Sequence, residues 1–209
     1  MRAIILNGHG GVDALGYVEN FPDPECGKDD VVVRVKSTSL NYHDIFTRNG
    51  MPGIKISMPM ICGLDVAGEI AEIGANVSGW KIGERVLIDP RNRVEGGLVG
   101  ETIHGGLAEY CRVKEHQLVR IPDGVSFDQA SSLPVAYGTA HRMMMTIGQV
   151  TSDDKILILG ASGGVGTGAL LLAKMAGAEV VVCASSDSKM EKLKSLGADH
   201  AMTYMNNDF

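Results

Sequence analysis

Short apolar runs separated by turn residues fill the first 120 residues of the chain. The runs VVVRVKSTSL, AGEIAEIG, ERVLI and LAEYCRV are divided by clusters of Gly, Pro, Asn and Asp. In the first run, Arg34 and Lys36 fall on one face and Val33 and Val35 on the other, as in a half-buried strand. Residues 89–106 have no apolar period and are predicted to form a large loop. The spacing predicts a compact, mostly antiparallel barrel or sandwich.

The hydrophobic period lengthens after about residue 125. Ser126 and Gln129 have the spacing of a capping box, which predicts the start of a helix through QASSLPVAYGTAHRMMMTIG. Pro134 and Gly138 are expected to interrupt this helix. The change of period predicts two domains, 1–125 and 126–209.

Strand and helix patterns alternate beyond residue 154. KILIL predicts a strand, GVGTGALLLAKMA a helix closed by Gly177, and EVVVCA a second strand. Ser188 and Glu191 again have capping-box spacing, which predicts a helix ending at Gly197, and HAMTY predicts a third strand. This order is a βαβαβ unit with parallel strands.

Glycines cluster where the first of these strands turns into its helix. Gly160, Gly163 and Gly166 lie three residues apart, and Gly163 with Gly164 makes the string a variant of G-x-G-x-x-G. The pyrophosphate of a dinucleotide can rest on backbone N–H groups at such a helix start, where side chains would block its approach. The strand, turn and helix favour cofactor binding here. The alternative is that the glycines only allow close packing of helix and sheet.

The end of the second strand indicates which dinucleotide would bind. NAD-binding folds normally place an acidic residue there for the ribose, whereas Ser185, Ser186 and Lys189 could hold a 2′-phosphate. NADP is therefore favoured over NAD. Two alternatives stay open: residues 185–188 only cap the next helix, or Asp187 reaches the ribose.

Charge and composition exclude several kinds of partner. The 209 residues carry a formal net charge of −6, and no basic patch is seen, which argues against nucleic acid or an anionic membrane as partner. The four cysteines are scattered without a C-x-x-C pair, which argues against a disulfide framework or a structural zinc site. The apolar stretch at the start of the chain is too short for a secretory signal. Residues 156–173 are uncharged but contain five glycines, so a strand and helix explain them better than a membrane span. A cytoplasmic location is expected.

Longer segments carry a family resemblance over essentially the whole chain. They are SLNYHDIFTRNG, PMICGLDVAGEIAEIGANVSGWKIGERV, GGLAEYCRV, SSLPVAYGTA and GASGGVGTGALLLAKMAGAEVV. With them the chain resembles the medium-chain dehydrogenases/reductases, and within these the zinc-independent quinone oxidoreductases related to zeta-crystallin. The resemblance implies a GroES-like β-barrel catalytic domain, then the first βαβαβ half of a Rossmann α/β domain, with the cofactor in the cleft between them.

The zinc-dependent alcohol dehydrogenases of this superfamily provide a contrast. Their first catalytic ligand, the Cys of C-H-x-D, is matched by Asn41, and their second, the His of G-H-E, by Leu64. Their third, a Cys, falls at Pro134 or Val135, and residues 89–106 lack the four cysteines that hold structural zinc. Such side chains cannot build a tetrahedral zinc site, so no metal is expected.

The resemblance implies NADPH-dependent reduction of quinones or α,β-unsaturated carbonyls, which need no Lewis acid because charge spreads over the conjugated system. Asn41 and Tyr42 are expected at the reacting end, as donors to the developing oxyanion. Alternatively, Asn41 only holds a turn and Tyr42 only packs. Several relatives have a tyrosine at Phe46, so the proton donor is unassigned. His43 and His104 are expected to be surface or structurally satisfied residues.

Further positions match cofactor contacts of the family: Thr139, Gly163, Gly164, Val165, Ser185 and Lys189.

Family members continue for well over a hundred residues past the match to HAMTYMNNDF. The chain is therefore expected to lack the second half of the Rossmann sheet and to leave the strand of residues 156–159 as an exposed edge. A homo-oligomer, or a partner that supplies the missing half, would cover that edge. Two functions stay open: a reductase, and a nucleotide-binding or self-associating module without turnover.

Overall fold

The computed structural model describes residues 1–204, and the last five residues of the predicted C-terminal stretch lie outside the described part. The chain divides into two compact units, Met1–Pro134 and Val135–Phe209. The domain boundary after residue 125 stays a prediction.

The first unit contains eight strands and two α-helices among the described residues. They are β1 (Ala3–Leu6), β2 (Leu15–Val18), β3 (Asp30–Ser39), α1 (Tyr42–Asn49), β4 (Met60–Ile61), β5 (Asp65–Ile73), β6 (Arg85–Ile88), β7 (Tyr110–Lys114), β8 (Leu118–Arg120) and α2 (Phe127–Ser131). Five strands form an antiparallel sheet in the order β7-β3-β5-β6-β8, and β2-β1-β4 form a smaller antiparallel sheet. The antiparallel GroES-like domain is confirmed.

The largest buried cluster of the first unit packs on one face of the larger sheet. Val33 is fully buried while Arg34 is exposed, as the alternation along β3 predicts. The branched side chains of β3, β5 and β6 form one cluster, whose buried members include Val31, Val66 and Ile88. Aliphatic β-branched residues suit such a half-buried sheet because they pack densely against their cross-strand neighbours.

Helix α2 begins at the predicted capping box. Ser126 Oγ accepts a hydrogen bond from the Gln129 N–H at 3.1 Å, and the Gln129 side chain accepts one from the Ser126 N–H at 2.9 Å. Ala130 and Phe127 pack against Ala67 of β5. The helix therefore covers part of the sheet of the first unit.

The second unit is a parallel βαβαβ unit preceded by helix. Its elements are α3 (Pro134–His141), a π-helical segment (Arg142–Ile147), β9 (Lys155–Ile158), α4 (Gly164–Met175), β10 (Glu179–Ala184), α5 (Asp187–Ser195) and β11 (His200–Thr203). The strands pair in parallel in the order β11-β10-β9. The predicted α/β half is confirmed, and Gly177 follows α4 with a φ of +86°, as a glycine after a helix often does.

Two features of the helices differ from the prediction. The helix is interrupted before Pro134, as expected, and Pro134 starts α3, where proline is tolerated because the first helical N–H needs no partner, but Gly138 lies inside α3 without breaking it. Helix α5 starts at Asp187, with Ser186 in extended conformation as its N-cap, rather than after Ser188. The Ser188 hydroxyl instead lies 3.2 Å from that of Ser186.

The predicted large loop of residues 89–106 contains no strand of the sheets and is held by side chain to backbone hydrogen bonds. The buried Asn92 Oδ1 accepts from the N–H groups of Val94 and Glu95 at 3.2 and 3.0 Å, and Asp89 Oδ1 accepts from the Arg91 N–H at 3.0 Å. They add to backbone hydrogen bonds within the loop, such as that from the Asn92 N–H to the Gly97 carbonyl at 3.1 Å.

All four cysteines are free thiols, and Cys62, Cys111 and Cys183 are buried. Within residues 1–204, no helix combines the length and apolar character needed to cross a bilayer.

Candidate active-site cluster and nucleotide-binding turn

The N-terminus of α1 is the centre of a polar cluster in the first unit. Asn41 is the N-cap, and its backbone N–H donates to Asp44 Oδ2 at 2.7 Å. Asp44 Oδ1 also accepts from the Gly63 N–H at 3.0 Å, and Asp44 is buried. One carboxylate therefore caps the helix and fixes it to the turn between β4 and β5.

The Asn41 side chain provides a second link. Its Nδ2 donates to Asp65 Oδ2 at 2.8 Å, and the Ser39 hydroxyl donates to the same oxygen at 2.7 Å. Asp65 is fully buried in β5. The structural role considered for Asn41 is thus present, and the amide keeps a second N–H for another acceptor. Its contact with a substrate stays a prediction.

Tyr42 projects from the cluster, with 75% of its surface exposed. Its ring lies 5.8 Å from that of Phe46, and its hydroxyl makes no hydrogen bond within residues 1–204. Core packing therefore does not explain Tyr42. The phenol can donate to a ligand, and that role stays a prediction.

A cavity of about 270 Å³ opens beside this helix turn. Polar side chains of Asn41, Tyr42, Asp44 and Arg48 line it together with Leu15, Leu40, Ile45, Cys62 and Leu107. An apolar wall with few polar groups is typical of sites for small organic ligands.

Burial controls the titration of this cluster. Burial raises the pKa of Asp44, and its hydrogen bonds from backbone N–H groups and the nearby His43 only partly oppose this. Burial, with a contribution from the Asp44 charge, raises the pKa of the Cys62 thiol to about 11. Cys62 is therefore a neutral thiol near pH 7.

His43 in α1 and His104 in the loop before β7 both have partners. His43 Nε2 lies 2.6 Å from Glu101 Oε2, and Glu101 is buried. His104 Nδ1 accepts from the Ile61 N–H at 3.2 Å, and burial lowers the pKa of His104. No sequence pattern indicates the pairing of His43 with Glu101, because 58 positions and an irregular loop separate them.

The positions that match zinc ligands in the alcohol dehydrogenases are occupied by side chains that make other contacts. Leu64 is 1% exposed, and Asn41 donates its amide to Asp65. In residues 1–204, no three His, Cys, Asp or Glu side chains are grouped as metal ligands would be.

The glycine turn in the second unit combines two kinds of glycine. Gly160 has a φ of +62°, and a Cβ there would meet nothing within 4 Å, while one at Gly163 would lie 3.5 Å from the nearest carbonyl oxygen. At Gly166, a Cβ would come within 2.7 Å of Ala161 Cα. Gly166 therefore serves close packing, whereas Gly160 and Gly163 leave open space at the surface of the turn.

Backbone donors face this space. The first α-helical hydrogen bond of α4 runs from the Thr167 N–H to the Gly163 carbonyl at 2.8 Å, so the N–H groups before it need other partners. These belong to Gly164, Val165 and Gly166, and they mark the positive end of the helix dipole. The chemistry fits a phosphate group.

The other predicted cofactor residues lie at two places in the second unit. Thr139 is exposed on α3, which packs on α4 closely enough that a Cβ at Gly164 would lie 3.1 Å from Ala136 Cβ. Ser185 follows β10, and Lys189 Nζ donates to its hydroxyl at 2.9 Å. Serine and lysine are thus adjacent where the strand ends.

Comparison with known proteins identifies the family. Residues 27–123 match the alcohol dehydrogenase GroES-like domain, and residues 164–209 match the family described as zinc-binding dehydrogenase. The chain belongs to the medium-chain dehydrogenase/reductase superfamily.

Individual members of this superfamily cover the whole chain. An NADPH-dependent alkenal/one oxidoreductase of Arabidopsis thaliana is 35% identical over 98% of the chain and 52% of its own length. A quinone-oxidoreductase QR1 of Triphysaria versicolor is 36% identical over 98% of the chain and 61% of its own length. A solved NAD-dependent alcohol dehydrogenase superposes with a TM-score of 0.92 at 32% identity, covering 100% of this chain and 65% of that one. The chain thus spans about half to three fifths of the curated relatives.

Proposed function

We propose that this dehydrogenase-family chain acts in the zinc-independent, NADPH-dependent reduction of α,β-unsaturated carbonyls or quinones. The observation that carries the proposal is the pairing of Ser185 with Lys189 beside the glycine turn, in a chain with Asn41 and Leu64 at the positions of zinc ligands.

The cofactor side of the proposal rests on the second unit. Backbone N–H groups at the start of α4 would hold the pyrophosphate, and Ser185 with Lys189 would hold the 2′-phosphate. Lys189 is exposed, and no carboxylate of residues 1–204 is paired with it, so its charge is available to an anion. Reduced nicotinamide, when bound, supplies a hydride.

The substrate side rests on the first unit. The apolar cavity beside α1 suits a small organic molecule, and Asn41 and Tyr42 present an amide N–H and a phenol at its edge. Hydrogen bonds from these donors would stabilise the oxyanion that develops when a conjugated carbonyl accepts a hydride. Conjugation spreads this charge, so no metal ion has to polarise the oxygen.

The names of the relatives support this choice. One relative is named as NADPH-dependent and as acting on alkenals and alkenones, and another as a quinone oxidoreductase. The solved structure is named as NAD-dependent, so NADH is the competing cofactor. A cytoplasmic location and self-association remain predictions.

A pair of cofactor titrations tests the proposal. We expect the chain to bind NADPH at least tenfold more tightly than NADH. Lys189→Gln should remove most of that difference, because Lys189 would pair with the 2′-phosphate, which NADPH carries and NADH lacks. Lys192→Gln, on the same exposed helix, is the matched control and should change neither affinity. Equal affinity for both cofactors would contradict the choice of NADPH.

Turnover separates a reductase from a binding module. Consumption of NADPH in the presence of an enone or quinone, followed at 340 nm, is the expected result. Tight NADPH binding without turnover of either substrate class would favour a nucleotide-binding module instead.

A further inference from the structure

The cavity beside α1 has a positive charge in its lining. Arg48, in the last turn of α1, lines the cavity together with Asn41 and Tyr42, and the residue is half-buried. Removing a charge from water is costly unless an opposite charge or strong hydrogen bonds compensate for it. The partners of Arg48 therefore bear on what the cavity binds.

Within residues 1–204, Arg48 donates only to neutral oxygen atoms. Its Nε donates to the Gly10 carbonyl at 3.2 Å, and one terminal nitrogen donates to Asn49 Oδ1 at 3.3 Å. A guanidinium has five N–H groups, so most of them have no protein acceptor here. No carboxylate of the described residues forms an ion pair with Arg48, and its charge is thus not neutralised.

Asp44 does not supply the missing negative charge. It is the only acidic residue among the described residues that line the cavity, and it lies one helical turn before Arg48. Its two oxygens, however, accept from the N–H groups of Asn41 and Gly63 at 2.7 and 3.0 Å. Burial also raises the pKa of Asp44, which disfavours its negative charge. Arg48 is therefore the charged group of the cavity that remains for a ligand.

The backbone holds Arg48 in place before any ligand binds. The Gly10 N–H donates to the Arg48 carbonyl at 3.0 Å, and Arg48 Nε donates to the Gly10 carbonyl. This double contact ties α1 to the loop after β1, which is a structural role for the arginine. It uses only one N–H of the guanidinium. A side chain that is already fixed also loses less conformational freedom when it binds a ligand.

We propose that Arg48 is a specificity-determining residue, which selects substrates that carry a carboxylate in addition to the conjugated carbonyl. This inference rests on the proposed function. Asn41 and Tyr42 at the start of α1 would bind the carbonyl oxygen, and Arg48 would bind the carboxylate through its free N–H groups. Asn41 and Arg48 lie about 10 Å apart along the helix axis, a distance that a short keto acid and the long arginine side chain span together.

The size of the cavity favours a small acid. Its volume is about 270 Å³, and apolar side chains make up much of its lining. A carboxylate is planar and matches the fork of a guanidinium, and it adds little volume to the substrate. The rest of such a substrate would contact the apolar wall.

Binding of saturated analogues tests the inference without cofactor. 4-Oxopentanoate carries a ketone and a carboxylate, and its methyl ester lacks the charge. In NMR titrations we expect the unchanged protein to bind the acid at least about tenfold more tightly than the ester. Arg48→Gln should abolish this preference, and Arg48→Lys should retain part of it, because lysine keeps the charge but not the fork.

Arg91→Gln is the matched control for the loss of one positive charge. Arg91 is exposed in the loop of residues 89–106, and it does not line the cavity. The variant should keep the preference of the unchanged protein for the acid.

A measurement on the unchanged protein covers the case in which Arg48→Gln fails to fold, since that variant loses the bond to Gly10. The NMR signal of the Arg48 Nε–H should shift when 4-oxopentanoate is added and should stay in place with the methyl ester. The signal reports on the guanidinium itself and needs no substitution.

Turnover tests the same residue during reduction. The substrates are (E)-4-oxopent-2-enoate and its methyl ester, with NADPH as the reductant. Arg48→Gln should raise the KM of the acid about tenfold relative to that of the ester and change kcat little, because the carboxylate contact is the same before and during hydride transfer. A purely structural role of Arg48 would affect the acid and the ester alike.

The outcomes separate this inference from the proposed function. Equal binding of acid and ester by the unchanged protein, or a preference for the acid that survives in Arg48→Gln, overturns the role of Arg48 and leaves the reductase intact. An Arg48 Nε–H signal that does not respond to 4-oxopentanoate also overturns it. Binding of the acid that depends on Arg48, without NADPH-dependent turnover of either substrate, overturns the proposed function and leaves Arg48 as an anion-binding residue.

Discussion

The polar cluster at α1 and the glycine turn before α4 are two candidate binding sites that are built in opposite ways. The α1 cluster is built from side chains, since Asp44 and Asp65 are buried and each accepts at least two hydrogen bonds. The glycine turn offers backbone N–H groups and open space. The α1 cluster thus depends on hydrogen bonds between distant parts of the chain, and the glycine turn depends on the absence of side chains. Mutations should therefore damage them differently.

Removing a buried acceptor should have the largest effect. Asp44→Ala leaves the N–H groups of Asn41 and Gly63 without their acceptor, so we expect the free energy of unfolding to fall by about 3 kcal/mol in urea titrations. Asp123→Ala, in an exposed turn, is the control, with an expected change below about 0.5 kcal/mol. Equal effects would mean that the carboxylate does not hold the α1 cluster.

Adding a methyl group should distinguish the two kinds of glycine in the turn. Gly166→Ala forces a Cβ to within 2.7 Å of Ala161 Cα, so we expect a loss of about 2 kcal/mol of stability. Gly163→Ala has room and an ordinary φ of −80°, and should leave stability nearly unchanged. Its methyl enters the space proposed for the pyrophosphate, so NADPH affinity should fall about tenfold. Unchanged affinity in Gly163→Ala would argue against that binding mode.

The smallest predicted effect is a difference in the sign of pH dependence. Burial raises the pKa of Asp44, whereas the hydrogen bond from Lys174 lowers the pKa of Asp199. The folded protein binds a proton more tightly than the unfolded chain at Asp44, so the contribution of Asp44 to stability falls as pH rises from its ordinary pKa of 3.8 through the raised value. The contribution of Asp199 is present above 3.8 and is lost as pH falls through the lowered value.

Asp44→Asn and Asp199→Asn test this difference. Each variant is compared with the unchanged protein by urea unfolding between about pH 3 and pH 7. The stability advantage of the unchanged protein should decrease with pH for the Asp44 comparison and increase for the Asp199 comparison. Slopes of the same sign would contradict the opposite environments of the two carboxylates.

The same contrast explains which parts of the structure were predictable. Strand β10 spans the predicted residues, and β9 and α4 end one residue early, because apolar runs and flanking glycines define them locally. Helix α1 was not predicted. Its residues are largely polar, so no apolar period marks it, and the capping box of Asn41 and Asp44 at its start was not recognised in the sequence.

The candidate site divides in the same way. The glycines and the pair of Ser185 and Lys189 could be found from spacing, since they lie close together in the sequence. Asn41 and Tyr42 were identified only through the family resemblance. The contact between His43 and Glu101 could not be predicted, because it depends on how a loop without periodicity folds back over 58 positions.

The buried thiols bear on the reaction proposed above. Enones and quinones are electrophiles that alkylate thiolates, whereas a protonated and buried thiol reacts slowly. Burial raises the pKa of Cys111 to about 12 and, with Asp44, that of Cys62 to about 11, and Cys183 is buried as well. A catalyst that handles reactive carbonyls would thereby keep these three sulfur atoms from self-inactivation.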